Sequence, residues 1–164
     1  MKKLPTYITI NEFKKIIDIE RKPCYKIAFI LGFNSGLRVS EVINLKKENI
    51  FIEEKKIMIK SGKGNKDRIV PLPKGFTEKS LKFIPIGLTI RSLQREFKIC
   101  LIKARIDKPA TFHSLRHGFA NRCIEQGIPI HQVQLLMGHA RLETTGIYLH
   151  ANPADALLNY EEMF

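Results

Sequence analysis

Several absences narrow the reading of this chain before any motif is considered. No apolar run in its 164 residues approaches the roughly 18 residues of a membrane-spanning helix, so no membrane partner is expected. Cys24, Cys100 and Cys123 are odd in number and far apart, which argues against a disulfide framework and for a reducing compartment. The opening Met1-Lys2-Lys3 is charged, but no apolar stretch or small-residue cleavage site follows it. The expected location is therefore the cytoplasm. The pattern G-x-x-x-x-G-K-[ST] of nucleotide-binding P-loops is missing. So is H-E-x-x-H: His113 and His117 are four apart, but Arg116 stands between them, and a cation there disfavours a metal. Neither a metal nor a cofactor is expected. There is no internal repeat and no low-complexity tract.

Acidic residues are also few, 16 against 28 basic, for a net charge of +12. The imbalance is uneven. Residues 1–40 carry 8 basic and 3 acidic side chains, residues 41–110 carry 17 and 8, and residues 111–164 carry 3 and 5. A polyanion partner explains the first two segments, because each phosphate neutralised releases counterions and adds salt-dependent affinity. The apolar share of 44% and charged share of 27% belong to a soluble globular chain. Its length suits one domain of the usual size of about 100–200 residues.

The periodicity predicts mostly helix. Thr9 and Glu12 form a capping box for a helix whose stripe is Phe13, Ile16 and Ile17. Pro23 breaks it, and Tyr25–Phe33 resumes as a buried apolar helix ending at Asn34-Ser35-Gly36. Ser40 is the expected cap of a short helix through Leu45, which holds Arg38 between two packed helices. Residues 50–52, 57–59 and 68–70 alternate as strands of a small three-stranded antiparallel sheet, with a Gly62-Lys63-Gly64 hairpin tip. After an irregular stretch with one short helix near 78–83, Leu93, Phe97 and Leu101 mark a long helix from Thr89 to Ala104.

The stretch from Thr111 to Tyr148 organises the rest. Thr111 reads as the cap of a helix closed by Gly127. His113 and Arg116 share one face near its amino end, where unpaired amides favour an anion. A second short helix runs from Pro129 or Ile130 to Met137 with Gly138 as its stop, and His139 follows where the backbone turns. A third, over residues 141–147, would deliver Tyr148. His131 and His150 read as exposed or backbone-binding, and Tyr160 is the decoy for a nucleophile.

H-x-x-R-H at 113–117, G-H-A at 138–140 and T-T-x-I-Y at 144–148, together with Gly36-Leu37-Arg38-Val39-Ser40-Glu41 and Ser61-Gly62-Lys63-Gly64-Asn65-Lys66-Asp67-Arg68, resemble the catalytic domain of the tyrosine recombinase, or phage integrase, family. The motifs fall in the family's order, and the resemblance covers nearly the whole chain. The resemblance implies that fold, mainly α with a small three-stranded antiparallel sheet, as one catalytic domain over 1–164. The family's amino-terminal core-binding domain is expected to be absent, since only 37 residues precede Arg38.

The resemblance also implies roles. Tyr148 would attack a DNA phosphodiester and stay joined to the 3' phosphate. Arg38 and Arg116 would hold its non-bridging oxygens, and Lys63 would protonate the leaving 5' oxygen. His113 would serve acid–base chemistry, His139 would hydrogen-bond the phosphate, and His117 would support the site. Ser114 departs from the acidic residue common in the family and is expected to make a local hydrogen bond. Lys60, Lys66, Arg68, Arg91 and Arg95 are expected on the DNA backbone or in solvent. In related recombinases a carboxyl-terminal tail docks on a neighbouring protomer, so self-association on double-stranded DNA through residues 153–164 is expected. Return of that tail to its own domain is the alternative.

The chemistry asks for these residue types independently. The phosphoryl transition state gathers negative charge that guanidinium forks can bind bidentately. A phenol of reference pKa about 10 needs strong local positive potential to attack near neutrality. Strand exchange by a metal-independent recombinase or integrase is the leading reading. A relaxing enzyme resembling type IB topoisomerases and a DNA-binding relative without catalysis are the alternatives.

Overall fold

A computed structural model describes residues 5–60, 67–138 and 153–163, with only the backbone for 153–155 and 163. Eight helices and three strands, numbered over these described residues, follow the order α1 (Ile10–Ile19), α2 (Pro23–Asn34), α3 (Val39–Ile43), β1 (Ile50–Phe51), β2 (Lys56–Ile59), β3 (Arg68–Pro71), α4 (Glu78–Leu81), α5 (Ile90–Lys103), α6 (His113–Glu125), α7 (Ile130–Met137) and α8 (Pro153–Met163). A single 3-10 turn at Lys47–Asn49 leads into β1.

α1 begins as its sequence requires. Glu12 accepts from the Thr9 amide at 2.9 Å while its own amide donates to Thr9 Oγ1 at 3.3 Å, closing both halves of the capping box. Its inward face buries Phe13 and Ile16, and the Phe13 ring stacks on Phe33 with centroids 4.0 Å apart. α2 opens on Pro23 and has no wet face over its second half, where Ala28, Phe29, Leu31, Gly32 and Phe33 are all buried. It is the central helix, packed against α1, α3, α5 and α6. Contact with α6 is close because of a glycine: a β-carbon on Gly118 would lie 2.5 Å from the carbonyl oxygen of Ile8 and 2.8 Å from the Phe33 ring.

The last carbonyls of α2 find partners far along the chain. Arg122 donates to Phe33 O at 2.9 Å and to Asn34 Oδ1 at 3.2 Å, and the Tyr160 hydroxyl donates to Asn34 O at 3.0 Å. These groups have no partner inside their own helix.

The strands form an antiparallel sheet in the order β1-β2-β3, with Ile50 opposite Ile57, Ile57 opposite Val70 and Ile59 opposite Arg68. Side chains alternate between faces, so Ile57, Ile59, Val70 and Arg68 all point inward. The main core joins this face to α1, α2, α3 and α5. A second cluster joins Phe119 and Cys123 of α6 to Val133, Leu136 and Met137 of α7 and to Ala156 and Tyr160 of α8. The carboxyl-terminal helix therefore lies on its own domain, held also by Asn159 Nδ2 donating to Gln132 Oε1 at 2.6 Å. Several boundaries differ from expectation, and α2 opens at Pro23 and not at Tyr25. α6 starts at His113 and not behind a Thr111 cap, because Phe112 is drawn into the core and the Ser114 hydroxyl accepts from the Thr111 amide at 3.0 Å. α3 starts at Val39, with Arg38 in place of Ser40 before it.

Candidate nucleic-acid active site

Four charged side chains from three segments, α3 with its cap, β3 and α6, meet near the end of α7. Arg38 stands at the amino end of α3, where its amide donates to Glu41 Oε2 at 2.7 Å and its Nη1 to Glu41 Oε1 at 3.0 Å. The Arg38 side chain is still 37% exposed, so its guanidinium faces outward from a fixed base. Arg68 reaches the same carboxylate from inside, with Nη1 to Oε1 at 2.7 Å and Nη2 to Oε2 at 2.8 Å. Its Nε donates to Leu136 O at 2.9 Å. Arg116, 1% exposed, donates through Nη1 to Gly36 O at 2.6 Å and through Nη2 to Met137 O.

This arrangement sets three guanidiniums against one carboxylate. Burial alone would raise the Glu41 carboxyl, but hydrogen bonds from Arg68 and the Arg38 amide, with the charges of Arg68 and Arg116, bring it down to about 2. Glu41 is thus an anion at any ordinary pH. Burial first, and then the nearby charges of Arg38 and Arg68, pull the Arg116 guanidinium down to about 9, while Glu41 acts in the opposite direction. The cluster is short of negative charge, and an anion bound among these arginines would relieve the deficit. A phosphate suits it in charge and in geometry, since guanidinium forks match its oxygens in pairs.

Two glycines permit the approach. Gly36 has φ +67° and Gly138 has φ +62°, the left-handed region that side chains with a β-carbon rarely adopt. Gly36 turns its carbonyl onto Arg116, and a β-carbon on Gly138 would lie 2.6 Å from Arg68 Cδ. Gly138 ends α7 as the sequence anticipates.

His113 is exposed at the first position of α6, and its ring meets the edge of His117 with centroids 4.6 Å apart. Burial, followed by the charge of Arg116, lowers the pKa of His117, in keeping with a neutral supporting role. Arg38 thus stands at the start of α3, and Arg116 and the two histidines lie in the first turns of α6. Lys60, Arg91 and Arg95 are exposed, and Lys60 lines a cavity that Glu41 also lines. Arg68 corrects an expectation. It is not at the surface for a DNA backbone but 7% exposed and committed to Glu41 and Leu136, because the sheet register turns it inward beside Ile59. Strand alternation, with Val70 two residues on, was the signal for that, and the i, i+3 spacing of Arg38 and Glu41 was the signal for the carboxylate. Lys63, Lys66, His139 and Tyr148 lie outside the described residues. Tyr160, the alternative nucleophile, is 6% exposed with its hydroxyl on Asn34 O, and burial first of all pushes it up to about 12.

The model of the phage integrase family matches residues 6–84 and 87–155. The chain belongs to the phage integrase family. Within that family it is similar to the tyrosine recombinase XerA of Pyrococcus horikoshii, at 33% identity over 163 residues that cover 90% of this chain and 57% of that protein. It is also similar to XerA of Thermococcus onnurineus, at 35% identity over 90% of this chain and 58% of that protein. The chain thus spans little more than half the length of the curated relatives it matches. Among solved structures, a XerA recombinase superposes with a TM-score of 0.70 at 28% identity, over 99% of this chain and 66% of that one. XerH site-specific recombinase, bound to its difH substrate before cleavage, gives 0.72 at 27% identity over 94% and 53%. The lambda integrase catalytic core, at 20% identity and a TM-score of 0.65 over 82% and 92%, shares the fold. This integrase-family chain has the tyrosine recombinase catalytic-domain fold, mainly helical with one three-stranded antiparallel sheet.

Proposed function

We propose that this chain is the catalytic part of a site-specific DNA recombinase or integrase, which cleaves and rejoins strands through a covalent 3'-phosphotyrosyl intermediate. The observation that carries the reading is the arginine cluster: Arg38 and Arg116 are fixed from behind by backbone carbonyls and Glu41, at a place deficient in negative charge. In this reading the two guanidiniums bind the scissile phosphate and stabilise the charge that builds on its oxygens. Tyr148 supplies the attacking oxygen, Lys63 gives a proton to the departing 5' oxygen, and His113 and His139 complete the site. The bond energy is kept in the phosphotyrosine, so religation to another strand needs no external energy source. Protein groups serve each step, and the reaction is proposed to be metal-independent, in a cytoplasmic setting.

The proposed partners are duplex DNA and other copies of the chain. XerH is seen bound to difH, and that DNA-bound relative supports the first. For the second, residues 153–164 would leave their own α6–α7 surface and exchange between protomers on DNA.

The test is a nicked suicide duplex at low salt. A covalent adduct is expected, mapped to Tyr148 by peptide analysis, unaffected by chelator and lost in Tyr148→Phe while noncovalent binding persists. An adduct at another residue, or one that survives Tyr148→Phe, would overturn the assignment. Relaxation of supercoiled DNA without paired sites would move the reading toward a topoisomerase-like enzyme.

A further inference from the structure

We propose that Arg68 is a positioning residue for the cleavage step, joining the supports of both phosphate-binding arginines into one hydrogen-bonded chain. This rests on the functional reading above. The strand register fixes where the side chain lies. Arg68 is paired with Ile59 across β2 and β3, faces the interior, and uses Nε, Nη1 and Nη2 on three different acceptor atoms. Two are the oxygens of Glu41, the carboxylate that also holds the amide and the Nη1 of Arg38. The third is Leu136 O, whose neighbour Met137 O receives Arg116. Consecutive carbonyls in the last turn of α7, which have no helical partner of their own, are thus taken by Arg68 and Arg116.

The connection runs Arg38, Glu41, Arg68, end of α7, Arg116. Shifting Arg68 lets Glu41 rotate, and Arg38 with it, and at the same time releases the turn from which Arg116 is aimed. That same turn ends at Gly138, whose missing side chain is the space occupied by Arg68 Cδ, and the chain beyond it leads to His139. All three nitrogens of the Arg68 guanidinium are committed to Glu41 and Leu136 O, so its effect on the reaction passes through these neighbours. A lysine keeps the charge but has no planar fork, and reaches at most one of the three acceptors in the same direction.

The experiment measures the single-turnover rate of adduct formation at saturating protein, and separately the Kd for intact duplex, in Arg68→Lys, Arg38→Ala and the double variant. Arg68→Lys should slow adduct formation by about 10²-fold, the size expected of a misplaced reacting geometry, with Kd near that of the unaltered chain. Because one of its two routes runs through Glu41 to Arg38, the loss from Arg68→Lys should shrink in the Arg38→Ala background to the part carried by Arg116. A merely structural role would give additive losses. Additive losses, or an unchanged rate in Arg68→Lys, overturn the inference. If Arg68→Lys does not fold, the paired neutral variant Glu41→Gln/Arg68→Gln decides: folded but slow supports positioning, folded with full rate refutes it. An unaltered chain that binds the suicide duplex and forms no adduct overturns the functional reading itself, a result distinct from an active chain that is indifferent to Arg68.

Discussion

Replacing Gly36 by alanine isolates the geometry that holds Arg116. Two costs follow from the structure. A β-carbon at φ +67° enters the left-handed region, at about 1–2 kcal/mol. It also lies 2.6 Å from Cδ1 of Phe119, a ring fully buried between α6, α7 and α8, and overpacking such a site costs about 1–3 kcal/mol. Together the loss is about 2–5 kcal/mol. For a chain of this size each kcal/mol lowers the melting temperature by about 2–4 °C. Gly75 and Gly87 provide the control, since they have φ +80° and +68° with nothing within 4 Å of a built β-carbon. Their alanine variants should show the backbone cost without the overlap. Thermal and urea unfolding of the three variants, with equal m-values, separates the terms. Adduct formation should fall in Gly36→Ala alone, because the Gly36 carbonyl that receives Arg116 Nη1 at 2.6 Å must move with the backbone. If Gly36→Ala is no less stable than Gly87→Ala, the close approach has been misjudged and the positioning of Arg116 does not depend on it.

Acid should act through Glu41. Its folded pKa of about 2 lies below the ordinary 4.5, so the unfolded chain binds the extra proton, and the stabilisation is complete above about 4.5 and lost as pH falls toward 2. The contribution is about 3 kcal/mol; urea titrations at stepped pH should lose that slope in Glu41→Gln, and an unchanged slope refutes the assignment. Exchange of the terminal helix should require it to leave its own domain. With cysteines placed at Gln132 and Asn159, a contact of 2.6 Å between their side chains, in a Cys24→Ser background, a short bis-maleimide bridge should abolish DNA-dependent multimers and leave monomer binding intact. Multimers that form despite the bridge rule out the exchange.

Much of this architecture was legible because local chemistry and packing agree. Thr9 with Glu12 and Thr89 with Ser92 cap α1 and α5, and the alternation around Ile57 and Val70 gives the sheet. Gly138 stops α7 where a left-handed residue is needed. What escaped depends on side chains choosing between equivalent partners. Arg68 looked like one more surface cation by residue type alone, and only the alternation with Val70 turns it toward the carboxylate 27 positions earlier. The apolar face of α8 fits a groove on α6 and α7, and self and neighbour present the same groove, so the pattern Ala156, Tyr160 is silent on which copy receives it. Phe112 moved the start of α6 because a core position outweighed the hydroxyl cap at Thr111. For the site, Arg38, Arg116 and His113 are described, and the roles of Lys63, His139 and Tyr148 rest on the motifs.

The end of α2 carries a consequence for how the chain folds. The final acceptors of this largely buried helix are served by Arg122 and by Tyr160, 88 and 126 residues later for Asn34. During synthesis the hub of the domain is therefore made early and finished late: its last turn lacks its protein partners until α6 and then α8 have emerged and docked. Closing loops of that length adds entropy cost ahead of any reward. α8 thus completes α2, and nascent chains that stop short of residue 160 should hold α2 with a frayed end.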